Sequence, residues 1–253
     1  MCSSRKTGFS DRGSSNIPDN NREGTPTSLN GEKKLVVTGI ERQKGNRNRV
    51  SVYLNGKYAF SLSELLALEH RIEEGRALTE AEIDELVHRD KFDKAFDAAV
   101  RLLAVRPRSE SELIQRLRRK GVDENVINEA IDKLRTLGYV NDEDFARFWV
   151  QNREQFSPMG SRRLKFELRQ KGVESDTVDE VLEDEVGQDE YELAYRAARS
   201  KLRSYTGLEY QDFYRRMGGF LSRRGFDYET SSKVIKQLWR ELHADQDERS
   251  VEN

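Results

Sequence analysis

Three times in this chain a leucine is followed, three and four residues on, by a basic residue and a glycine: Leu117–Lys120-Gly121, Leu168–Lys171-Gly172 and Leu221–Arg224-Gly225. Arginines cluster around each: Arg116, Arg118 and Arg119 at the first, Arg162, Arg163 and Arg169 at the second, Arg215, Arg216 and Arg223 at the third. A guanidinium is a planar fork that meets carboxylate or phosphate through two N–H groups, so the chemistry on offer is the binding of an anionic partner. A plainer account covers part of the pattern. A cation at a helix C-terminus offsets the macrodipole and a glycine beyond it supplies the left-handed cap, which suffices for Lys120, Lys171 and Arg224. It does not cover the neighbouring arginines.

A row of cations needs a scaffold that repeats. The glycines stand about fifty residues apart, room for three short helices, and a period of that length signals stacked supersecondary units. Lys91 to Val105 sets Phe92, Ala95, Phe96, Ala99, Leu102 and Leu103 on one face before Pro107 stops the helix. The spacing predicts a second helix opened by a capping box, Ser109–Glu112, with Leu113, Ile114 and Leu117 inward and Gly121 at its end. A third, capped by Asp123, runs to Gly138. The cycle restarts at Asn141-Asp142 and again near Gln188. The expected fold class is therefore mainly α: three tandem three-helix repeats at 90–138, 139–187 and 188–242, each too small to be stable without its neighbours. Aromatics at helical spacing, among them Phe145, Trp149, Tyr205, Tyr210, Phe213 and Tyr214, read as core before they read as platforms for stacked bases.

Ahead of the repeats, residues 1–32 hold too few apolar groups to offset the entropy of ordering and read as a disordered tail. Residues 33–89 read as a small domain of three antiparallel strands and two helices, with Asn55-Gly56 as a type I′ turn. Arg42 to Arg49 is expected to form a longer loop whose four basic residues face either phosphate or plain solvent. Helices are expected over Ser63–His70 and Thr79–Arg89, the latter opened by a second capping box, Thr79–Glu82. Residues 243–253 read as a second disordered tail.

Composition narrows the function further. Lys and Arg number 44 against 46 Asp and Glu, yet Val173 to Glu192 carries no base while Leu193 to Arg240 is strongly basic, so the near-neutral average hides oriented fields. A single cysteine, Cys2, excludes a disulfide framework and fits a reducing cytoplasm. No apolar run is long enough for a bilayer. His70, His88 and His243 stand apart from one another and from any ligand set, and no phosphate-cradling glycine loop or nucleophile elbow is present. No catalytic residue, cofactor or metal is expected.

The combination Arg106-Pro107-Arg108-Ser109, Glu112-Leu113, Leu117–Lys120-Gly121, Leu137-Gly138-Tyr139-Val140-Asn141-Asp142 with Phe145-Ala146, and Gly160 with Arg163-Leu164, Glu167-Leu168 and Lys171-Gly172 resembles the RecX family of recombination regulators. The resemblance covers about residues 90–242, with 35–88 similar to the longer members. It implies a curved molecule, monomeric and cytoplasmic, that lodges in the groove of the RecA–DNA filament and inhibits ATP hydrolysis, strand exchange and co-protease activity. The third unit departs from the pattern: it lacks the Gly-Tyr-x-Asn-Asp element, and Ser222 stands where the first two have Arg118 and Arg169. A rival reading makes one unit a helix-turn-helix-like module that binds DNA without RecA, Arg162 and Arg163 entering a groove.

Overall fold

Asn55 and Gly56 both adopt positive φ, 49° and 77°, and turn the chain between two strands that the apolar alternation of Val50, Val52 and Leu54 had already placed on a core face. The computed structural model describes residues 34–186 and 190–251, with side chains described through His243. Strands β1 (Leu35–Gln43), β2 (Asn46–Leu54), β3 (Lys57–Ser63) and β4 (Ala77–Leu78) form one antiparallel sheet in the order β3-β2-β1-β4. Val37, Val50, Val52, Leu54, Phe60 and Leu62 pack on Leu66 of the short helix α1 (Glu64–Glu69), on Ile72, on Leu78 and on Leu86 of the helix that follows.

Two expectations are corrected here. The sheet has a fourth strand, a two-residue segment too short to leave a periodic signal. The anticipated long loop after Arg42 is a tight turn at Lys44-Gly45, because Gln43 pairs directly with Asn46 and both strands run on through the charged residues. Two of the four bases there are thereby committed: Arg42 pairs with Glu64, and Arg49 holds Asp90 through Nη1 at 2.9 Å and Nη2 at 3.0 Å.

Helix α2 (Glu80–Leu103) is continuous, whereas the sequence pattern divides it near Arg89. No glycine or proline interrupts this stretch, and Asp90, expected near a boundary, is buried in mid-helix and satisfied by Arg49, Lys94 and the Ser63 N–H. The capping box at its start is complete: Thr79 accepts from the Glu82 N–H, and Glu82 accepts from the Thr79 N–H at 2.8 Å. One helix thus serves two cores, Leu86 in the sheet domain and Ala95, Ala98 and Ala99 in the first repeat.

The repeats follow as α2 with α3 (Glu110–Arg119) and α4 (Glu124–Thr136), then α5 (Asp142–Phe156), α6 (Ser161–Gln170) and α7 (Ser175–Val186), then α8 (Glu190–Leu202), α9 (Tyr210–Arg223) and α10 (Tyr228–Val251). The first repeat has its own core around Leu113, Leu117, Ile127 and Leu134, while the second and third share one continuous core from Phe145 to Leu238. Among the described residues no helix is long and apolar enough to cross a membrane.

Asn141 caps α5 as expected, accepting from the Glu143 N–H, but Asp123 makes no cap bond and pairs with Lys91 instead. The Ser109 box is half formed, since Glu112 is drawn away from the cap by Arg106 and Lys171. The backbone of α10 extends to Val251, into the segment 243–253 expected as a tail, where side chains are described only at His243. The N-terminal tail 1–32 and the boundary at 187/188 lie outside the described residues.

Candidate functional site

The basic triplets close the middle helices of the three repeats. Lys120, Lys171 and Arg224 are the C-cap residues of α3, α6 and α9, and Gly121, Gly172 and Gly225 follow each with positive φ. The three caps nevertheless do different work.

Lys171 seals the junction between the first and second repeats. Its carbonyl accepts from the Ser109 hydroxyl at 2.6 Å, its ammonium reaches Glu112 at 2.5 Å and lies 4.7 Å from the Trp149 ring centre, and a Cβ on Gly172 would strike the Ser111 side chain. Burial pushes the Glu112 carboxyl up, but Arg106 and Lys171 outweigh it and hold the group below the ordinary carboxylate range. Nearby, Asp142 of α5 accepts the Glu110 N–H at the start of α3.

Arg224 seals the next junction in the same way. Its carbonyl accepts from the Gly160 N–H at 2.9 Å, its guanidinium donates to the Pro158 carbonyl at 2.9 Å, and a Cβ on Gly160 would lie 2.6 Å from the Gly225 backbone. Burial lowers the Arg224 pKa. At both junctions the N-terminus of one middle helix receives the Lys/Arg-Gly end of the next. Lys120 and Gly121, with no repeat before them, are exposed, and nothing lies near a Cβ built on Gly121.

The remaining expected site residues, Arg116, Arg118, Arg119, Arg162, Arg163, Arg169, Arg215, Arg216 and Arg223, are all exposed. Several are tethered within their own repeat: Arg118 to Glu124 at 2.5 Å, Arg119 to the Gln115 carbonyl, Arg163 to Glu167, Arg169 to Ser175 and Arg215 to Asp212. The exposed pairs Arg118–Glu124 and Arg215–Asp212 contribute little to stability and exchange readily for another anion, whereas Arg163 is held by a buried carboxylate. Arg116, Arg162, Arg216, Arg223 and Lys120 form no ion pair among the described residues. Arg162 and Arg215 are brought together on one groove of about 280 Å³ floored by Gly218 and Gly219 of α9. The cations of α3 belong to a different repeat and do not line that groove.

Sequence reasoning misses Glu167. This carboxylate is 8% exposed and accepts from Trp149 Nε1 at 3.1 Å, Arg153 at 2.8 Å and Arg163 at 3.1 Å, fixing α5 to α6. Its signal was available, since it lies between Leu164 and Leu168 on the buried face of α6. Also missed is the stripe Arg196, Arg199 and Arg203 at α8 and just beyond it, which lines a broad concavity with Ser200 and Leu202. Among the aromatics, Phe145 and Phe213 are buried as core, while Tyr139, Phe148 and Tyr210 remain exposed.

Sheet domain, repeat units and cation-tipped middle helices together define a tandem three-helix repeat protein. Family models match along most of its length: the Regulatory protein RecX N-terminal domain at residues 35–79, and the first, second and third RecX three-helix domains at 95–134, 141–182 and 188–235. The chain is 30% identical over 215 residues to the regulatory protein RecX of Bacillus pumilus (strain SAFR-032), spanning 85% of this chain and 82% of that one. Against the regulatory protein RecX of Clostridium botulinum (strain Eklund 17B / Type B) it is 30% identical over 204 residues, 79% and 95% of the two chains. A crystal structure of a regulatory protein RecX superposes with a TM-score of 0.62 at 25% identity, covering 80% of this chain and 99% of the other. RecX from Lactobacillus salivarius gives 0.54 at 25% identity over 59% and 97%. The chain belongs to the RecX family of regulatory proteins.

Proposed function

We propose that this protein acts without chemistry of its own, as a monomer in the cytoplasm, by lying along the RecA–DNA filament and inhibiting ATP hydrolysis, strand exchange and co-protease activity. One observation carries the reading: each of the three middle helices bears exposed arginines at its surface, in a chain whose repeats are joined end to end by the same helix-terminus contact. A repeating cationic surface suits a repeating anionic polymer. Single contacts there are weak, and their linkage in one chain raises the effective concentration of each for the next. Arg116, Arg118, Arg119, Lys120, Arg162, Arg163, Arg169, Arg215, Arg216 and Arg223 would meet acidic protein surface and DNA phosphate. Lys171 and Arg224 would act indirectly, by fixing the pitch of the array.

RecA-dependent ATP hydrolysis on single-stranded DNA tests this. Substoichiometric protein is expected to slow it, because one molecule on the filament affects several protomers. An unchanged rate at saturating protein would remove the proposal.

A further inference from the structure

The third repeat carries a run of aromatic rings that leads from the edge of the shared core to the surface. Tyr214, Tyr210, Trp239 and His243 follow one another across α9 and α10 with ring centres 5.9, 5.2 and 4.1 Å apart. Tyr210 and His243 are exposed, and Tyr214 and Trp239 are half-buried, resting on the shared core through Phe213, whose ring centre is 5.3 Å from that of Trp239. Tyr210 and Trp239 meet at 65° and with Lys236 and Arg240 line a concavity of about 270 Å³. Among the described side chains of these two helices, Asp212 is engaged by Arg215, Glu229 by Lys233, and Glu241 by Tyr195 and Gln237. Lys236 and Arg240, one turn apart and both exposed, have no ion pair among the described residues, so the lining of the cleft pairs two rings with two cations.

We infer that this cleft binds unpaired bases of a single-stranded nucleic acid, the base against Tyr210 and Trp239 and the flanking phosphates on Lys236 and Arg240. Every base has a π face, so ring stacking combined with cations is sequence-tolerant recognition of a single strand. In a duplex the faces are stacked on one another and only edges are presented in the grooves, which this cleft has no means to read. An acidic peptide would satisfy the cations and leave the rings unused. No arginine of α3 or α6 lines the cleft, and the inference does not depend on the filament reading.

The test uses the full chain without RecA, following anisotropy of a labelled short oligothymidine and of a duplex of equal length. Tyr210→Ala is expected to weaken oligothymidine binding about tenfold or more, the usual consequence of removing one stacking ring. Duplex affinity and the salt dependence should hardly change, because no charge is removed. The double variant Lys236→Ala/Arg240→Ala, which alters no core side chain, should flatten the salt dependence of oligothymidine binding by about 0.7 in log–log slope for each phosphate left without its cation. Unaltered oligothymidine affinity in Tyr210→Ala, or equal weakening for single strand and duplex, would overturn the inference.

Discussion

The Ser109 hydroxyl donates to the Lys171 carbonyl while its oxygen accepts from the Glu112 N–H, so one fully buried side chain caps a helix of the first repeat and closes a helix of the second. Ser109→Ala removes the cap and leaves the facing carbonyl without its donor. We expect a destabilisation of about 2 kcal/mol, the sum of a cap and an unsatisfied buried acceptor, measured as a lower urea midpoint.

The second junction is built from close backbone approach. At Gly160, where φ is negative, alanine costs nothing conformationally but its Cβ meets the Gly225 backbone. Gly121→Ala supplies the contrast: its φ is +76° but its surroundings are open, so it should cost only about 1–2 kcal/mol of left-handed strain. Gly160→Ala should cost more than Gly121→Ala, read from thermal unfolding of the two variants side by side. The reverse order would show that the contact between repeats yields easily.

Asp90 ties the sheet domain to the repeats through Arg49. Burial works against its charge, yet Arg49 and Lys94 hold its pKa below the ordinary aspartate value. A carboxylate depressed on folding stabilises the protein above its unfolded pKa, and that contribution disappears as pH falls through the lower folded value. Arg49→Ala leaves the buried charge with one partner fewer and should destabilise by about 3 kcal/mol at neutral pH. The deficit should shrink under acid, followed by urea titration across pH.

Lys171 and Arg223 separate the cations that seal a repeat junction from those proposed to bind. Lys171→Glu places a negative charge beside Glu112 and should lower stability, whereas Arg223→Glu, exposed and unpaired among the described residues, should leave the stability within about 0.5 kcal/mol of wild type. Parallel thermal melts distinguish them.

Helix existence was legible throughout because apolar residues recur at helical spacing and the caps are local: Thr79 with Glu82, Asn141 with Glu143 and Gly225 at its helix end can be read from neighbours in the chain. Long-range partners were not. Glu112 and Glu82 stand at the same place in the same kind of box, but Lys171, 59 residues away, redirects Glu112. The same limit applies to the candidate site. Sequence located every arginine, yet spacing cannot say that Lys171 and Arg224 are committed to repeat junctions, nor that Arg162 comes to the groove of Arg215. The Arg49–Asp90 pair was hidden for the same reason, being formed by residues 41 apart on a strand and a helix.

The central claim is that exposed cations of the middle helices engage the filament. Co-sedimentation with RecA filaments tests it most directly, using wild type and the variant Arg116→Glu/Arg162→Glu/Arg216→Glu/Arg223→Glu, whose side chains seal no junction. Wild type should pellet with the filament and the variant, with its helical spectrum unchanged, should stay in the supernatant. A variant that keeps the wild-type spectrum and pellets as fully as wild type would contradict the account.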